Sequence, residues 1–196
     1  MIGRHPAPGK AASAPGGHQG GRAQQPSTSV VLALGSNLGS RMDILQGAVN
    51  AVAGLPGVWI DKASGVYETV PVGGPRQPDY LNAILLARTT LGPYDLLDAL
   101  HQVEAAFDRV REVRWGPRTL DIDIIAYQGV ACGDPRLTLP HPRAHERAFV
   151  LAPWHEADPD AVLPGHGPVA DLLTAVLSRP GGDGGIRRSA SRLVLP

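Results

Sequence analysis

Cysteine is nearly missing from this chain. Cys132 is the only one in 196 residues, which excludes an internal disulfide framework and a cysteine-built zinc site and fits a reducing compartment. No run approaches the roughly 20 apolar residues of a membrane span, and the first residues lack the apolar core of a signal peptide, so the cytoplasm is the expected location. Excess charge is missing too. Eighteen lysines and arginines balance 18 aspartates and glutamates, leaving no global field that would make nucleic acid or a membrane the main partner. Two nucleotide motifs are also lacking. Gly9-Lys10 has no earlier glycine of a P-loop and runs into Ala11, and Gly165-His166-Gly167-Pro168-Val169-Ala170 follows a proline turn instead of a core strand.

What is present suits one domain of moderate size, with 43% hydrophobic and 18% charged residues. Residues 1–27 are rich in Gly, Pro, Ala, Gln and Ser and read as a disordered tail. A domain over 28–178 follows, and 179–196, glycine-rich and then basic, reads as a loose tail. Within the domain, Ser29–Leu34 is a buried strand leaving through Gly35-Ser36-Asn37-Leu38-Gly39, whose glycines let backbone amides approach a ligand or simply make a tight turn. Leu45, Ala48, Val49 and Val52 mark a helix from Arg41 to about Ala53. Val58–Tyr67 reads as a second strand, a Pro/Gly-rich loop spans Glu68–Asp79, and Tyr80–Ala87 is a third strand. Tyr80 and Asn82 share a face there, suited to a flat heteroaromatic ring or to a solvated sheet surface. A second helix opens at Gly92-Pro93, with Leu96, Leu100, Val103 and Phe107 on its buried stripe. Short helices are expected from Glu146 to about Trp154 and over Val169–Leu177.

The chemistry is concentrated between Arg109 and Ile125. From Leu120 the residues alternate, so Asp121 and Asp123 leave one face of a strand with Cα atoms roughly 6–7 Å apart, while Leu120, Ile122 and Ile124 enter a core. Two carboxylates so close need a compensating cation. A hard divalent ion is one candidate, since Mg²⁺ takes carboxylate and phosphate oxygens; surface salt bridges to arginine are the other. Arg109, Arg111, Arg114 and Arg118 fall within ten residues just before this strand, and a planar guanidinium matches phosphate oxygens. That coupling favours phosphate chemistry. His141 and His145 lie four apart, but Pro142 breaks a shared helix and no third ligand is near, so zinc is not expected.

The elements run strand, helix, strand, strand, helix, strand, which predicts an α+β, ferredoxin-like sandwich with one antiparallel sheet, helices packed on it and a C-terminal extension of loops and short helices. Four motifs in one order, Ala33–Gly39, Gln77–Ala83, Arg114–Ile125 and Leu139–Arg143, resemble the 6-hydroxymethyl-7,8-dihydropterin pyrophosphokinase family over about residues 29–165. The resemblance implies transfer of pyrophosphate from ATP to the pterin hydroxymethyl oxygen, releasing AMP, with two Mg²⁺ ions, in folate synthesis. It implies that Asp121 and Asp123 bind metal and that Arg109 and Arg118 handle phosphate during transfer. It places Thr69, Tyr80, Asn82, Trp115 and Phe149 around the pterin, and Glu104, Arg136, Thr138, His141 and Arg147 on the ATP side, with Arg111 and Arg114 in a closing loop. A monomer with small-molecule substrates and no nucleic-acid or membrane partner is expected. The rivals are a nucleotidyl- or glycosyltransferase using the same aspartates, which would release a different nucleotide product, and an RNA-binding module, which would bind with steep salt dependence.

Overall fold

The computed structural model describes residues 27–71, 77–107, 119–182 and 185–196. The expected disordered tail lies outside them, apart from residue 27. In chain order the elements are β1 (Thr28–Ser36), α1 (Arg41–Ala53), β2 (Val58–Ala63), β3 (Gly65–Thr69), β4 (Tyr80–Thr89), α2 (Pro93–Ala106) and β5 (Asp121–Tyr127). Two small hairpins follow, β6 (Cys132–Gly133) with β7 (Thr138–Leu139), and β8 (Val162–Leu163) with β9 (Gly167–Pro168). Between and after them come α3 (Ala148–Ala157), α4 (Val169–Leu177) and β10 (Arg187–Arg192).

The sheet is antiparallel throughout, in the order β10-β3-β4-β1-β5, with β2 also on β4. This is the expected ferredoxin-like sandwich. Strand periodicity splits its side chains between two cores. Leu32, Leu34, Leu85, Ile122 and Ile124 pack under α1 and α2, where Leu45, Val49, Leu96 and Leu100 are fully or almost fully buried. The other face carries Ile84 and Ile125 beneath Leu151 and Trp154 of α3 and Val169 and Val176 of α4. Each such aliphatic side chain withdrawn from water contributes about 1.5–3 kcal/mol. The C-terminal extension is therefore the second wall of the domain.

Three expectations need correction. The single strand read over Val58–Tyr67 is two, because the chain turns at Ser64, whose buried hydroxyl donates to the Gly65 carbonyl and accepts from the Ile84 amide. The short helix expected to end near Trp154 continues to Ala157, with Pro153 inside it. The tail expected to be loose contains β10, paired with β3: Arg187 reaches Glu68 and Arg188 reaches Glu156, so ion pairs replace the apolar alternation that marks other strands.

Candidate active site

Register brings the predicted residues together. Gly35 of β1 lies opposite Asn82 of β4 on one side and Asp121 of β5 on the other, and Ala33 lies likewise between Ile84 and Asp123. With strands about 4.8 Å apart, Asn82 and Asp121 sit two strand spacings, about 10 Å, from each other on one face. Asp121 and Asp123 are half-exposed, while the alternate residues Ile122 and Ile124 are buried under α2, as the alternation predicted. Gly35 lies between them without a side chain. A Cβ there would stand 3.4 Å from Asn82 Oδ1 and 3.9 Å from the Tyr80 ring, in ordinary contact with both, so glycine leaves the floor of the row open.

Asn82 is itself oriented from β3. Its Nδ2 donates to Thr69 Oγ1 at 2.8 Å in a buried pair, which fixes the amide and aims Oδ1 toward Gly35. Tyr80 donates its hydroxyl to Gln77 Oε1 at 3.3 Å, and Asn37 donates Nδ2 to the same oxygen at 3.0 Å and to the Pro78 carbonyl. Asn37 is 1% exposed. It thus braces the β1–α1 turn against the entry to β4, a role the motif Gly35-Ser36-Asn37-Leu38-Gly39 did not by itself disclose. A cavity of about 360 Å³ opens beyond this brace, lined by Asn37, Leu38, Gly39, Arg41, Glu68, Pro78 and Asp79.

A cationic edge closes on the aspartates from the other side. The segment after β7 returns along β5, and the His141 amide donates to the Ile125 carbonyl at 2.9 Å. His141 Nε2 and Arg147 then each stand 3.8 Å from Asp123 Oδ2. Burial, followed by the Arg147 charge, pushes the His141 imidazole down from 6.5 to about 4, so it is neutral at pH 7. Its Nδ1 accepts the Arg143 amide, which leaves Nε2 as the proton-bearing nitrogen facing Asp123. Arg147 precedes α3 and lies over the Phe149 ring, 5.4 Å from its centroid. Phe149 is thereby tied to the Arg147–Asp123 end of the site.

Other predicted residues are placed apart. Arg136, on the turn between β6 and β7, pairs with Asp98 and covers Tyr94, and Thr138 donates to the Asp134 carbonyl. Glu104 is 1% exposed on the α1/α2 side, where Oε1 accepts the Ile122 amide at 2.8 Å. His145 does not converge with His141; its ring stacks on His166 at 4.1 Å. Arg109, Arg111, Arg114, Trp115 and Arg118 lie outside the described residues.

Among the described residues no three His, Cys, Asp or Glu side chains converge as a self-sufficient cage. Two hard carboxylates on one half-exposed face, beside cations suited to phosphate, fit the mode in which Mg²⁺ is held by one or two carboxylates, substrate phosphates and water.

The model of the family described as 7,8-dihydro-6-hydroxymethylpterin-pyrophosphokinase (HPPK) matches residues 31–159. A Methylorubrum extorquens protein named 2-amino-4-hydroxy-6-hydroxymethyldihydropteridine pyrophosphokinase is 46% identical over 138 residues, 70% of this chain and 87% of that one. The Pseudomonas aeruginosa protein of the same name is 41% identical over 146 residues, 74% and 90% of the two chains. Among solved structures, wild-type Plasmodium falciparum HPPK-DHPS with pterin and p-hydroxybenzoate superposes with a TM-score of 0.63 at 15% identity, over 83% of this chain. This chain spans 45% of that larger one, and at such identity the likeness shows the fold.

Proposed function

The chain belongs to the 7,8-dihydro-6-hydroxymethylpterin-pyrophosphokinase family, and from that premise we propose how its residues divide the reaction. The enzyme transfers a pyrophosphoryl group from ATP to hydroxymethyldihydropterin in folate biosynthesis. The attacking group is the pterin hydroxymethyl oxygen, and the bond broken lies between the α- and β-phosphates, so AMP leaves. The observation that carries the assignment of roles is the row Asn82–Gly35–Asp121, which sets a buried amide beside a paired-carboxylate edge.

Asn82, held by Thr69, reads the amino and ring nitrogens of the pterin, while Tyr80, Phe149 and Trp115 supply aromatic surface. Neutral His141 donates from Nε2 and Arg147 adds positive charge, both toward phosphate oxygens arriving at Asp123. Arg109 and Arg118 carry the phosphates during transfer, and Arg111 and Arg114 close over the nucleotide, as the family resemblance implies. Two Mg²⁺ ions, held by Asp121 and Asp123, supply neutralisation of phosphate charge when bound. No protein nucleophile is needed: alignment of hydroxyl and phosphate, with charge compensation, lowers the barrier. A cytoplasmic monomer without a nucleic-acid partner completes the proposal.

Asp121→Ala and Asp123→Ala, assayed across a Mg²⁺ titration, test the carboxylate roles. Each should lower AMP formation by about 10²–10³-fold or more with an unchanged thermal melt. Near-normal turnover by either folded variant at ordinary Mg²⁺ would remove the metal assignment.

A further inference from the structure

Among the described residues β5 is the outer strand of the sheet, paired with β1 on one side. An outer strand presents backbone amides and carbonyls that need other partners, and unless they are met the strand frays. Here that matters chemically, because this strand carries both aspartates. The unpaired side of β5 is held at two points that bracket Asp123. The Ile125 carbonyl accepts the His141 amide at 2.9 Å, and the Ile122 amide donates to Glu104 Oε1 at 2.8 Å.

We propose that Glu104 is a positioning residue for the reaction: its buried carboxylate anchors the backbone between Asp121 and Asp123 and so sets where the two carboxylates point. The inference rests on the assignment of the aspartate pair above. Glu104 sits on α2, 1% exposed among Leu100, Val103 and the β5 core residues, on the face of the sheet opposite the aspartates. A carboxyl group so deeply withdrawn is costly to bury without a hydrogen bond, and Oε1 meets that need by accepting the Ile122 amide. Three residues on, the Phe107 ring lies so close to Gly47 of α1 that a Cβ there would meet it at 2.8 Å, so the end of α2 packs closely on its neighbour. Ile122 lies directly between the aspartates, so a shift of its amide moves both. Glu104 thereby acts through the strand, not through the nucleotide.

The test compares Glu104→Ala and Glu104→Gln with the unaltered full chain. It reads amide hydrogen exchange at Ile122 without ligands, the ATP dissociation constant, and the single-turnover rate of AMP formation. Removing the acceptor should speed Ile122 exchange and lower the transfer rate about 10- to 100-fold, as loss of a supporting hydrogen bond around a ligand group typically does, with ATP affinity held within about threefold. The glutamine variant keeps an acceptor oxygen and should restore protection and most of the rate. Unchanged Ile122 exchange in folded Glu104→Ala overturns the proposal. So does a glutamine variant that keeps Ile122 protected yet loses about tenfold or more in rate or ATP affinity, because the negative charge would then be the functional property. Should the alanine variant fail to fold, the glutamine variant decides by the same two readings. Absence of AMP from the unaltered protein would count against the reaction, while Ile122 exchange would still report the anchor.

Discussion

At the residue scale the proposed function assigns pterin recognition to the pair Thr69–Asn82. Thr69 is 5% exposed and Asn82 6%, and the bond between them fixes which end of the amide faces Gly35. Thr69→Val keeps the shape but removes the acceptor, leaving a buried donor unmet at a cost of about 1–3 kcal/mol. The expected outcome is a rise of about tenfold in the pterin KM with ATP affinity unchanged, since about 1.4 kcal/mol corresponds to tenfold. Steady-state kinetics with each substrate varied in turn, beside a thermal melt, check it; a lowered melt with an unchanged pterin KM would make the pair purely structural. The aspartates and the tyrosine-asparagine face were visible in the sequence because a two-residue period needs only local residues. Gly35 as a floor and Asn37 as a brace were not, since each acts on residues 40 or more positions away in the chain.

At the element scale, β10 shows where local pattern fails. Arg187–Arg192 has no apolar alternation, and its order comes from Glu68 and Glu156, 119 and 32 residues distant. Glu156 is held below the ordinary carboxylate range by its bonds from Arg188, aided by Tyr67, whose hydroxyl donates to it at 2.7 Å. Tyr67 in turn is pushed up to about 12 by burial and by the Glu156 carboxylate. The signs differ. A lowered carboxyl contributes stability that is present above its ordinary value of 4.5 and is lost as pH falls through the folded value; the raised tyrosine contributes below 10, and that contribution is lost as pH rises through about 12. Urea midpoints should therefore fall on acidification below about pH 4.5 with a component that Glu156→Gln removes. Identical acid slopes for the variant and the unaltered protein would mean that β10 is held by other contacts. The opposite case is α4, Val169–Leu177, whose amphipathic spacing gave its range from local residues alone, as did α1.

At the scale of the whole molecule, the sheet is a partition between two cores, and the site occupies the edge of one face. The helices α1 and α2 build one core and support the aspartate strand from behind; α3 and α4 build the other, and Arg147 and Phe149 lie at the start of α3, at the catalytic edge. The order of strands and helices was enough to expect the ferredoxin-like half. The second wall was less legible, because Pro153 interrupts the signal of α3 and the hairpins β6–β7 and β8–β9 are two-residue strands without a periodicity of their own. What unites both halves in the proposed reading is a reaction with two small substrates, one assigned to Asn82 and the other to Asp123, meeting across Gly35. Release of AMP by the purified protein with ATP, Mg²⁺ and 6-hydroxymethyl-7,8-dihydropterin is the most direct test of that account. AMP appearing in the complete mixture and absent without pterin or without divalent metal is the predicted result; no AMP from folded protein that binds both substrates, or AMP formed equally without pterin, would contradict it.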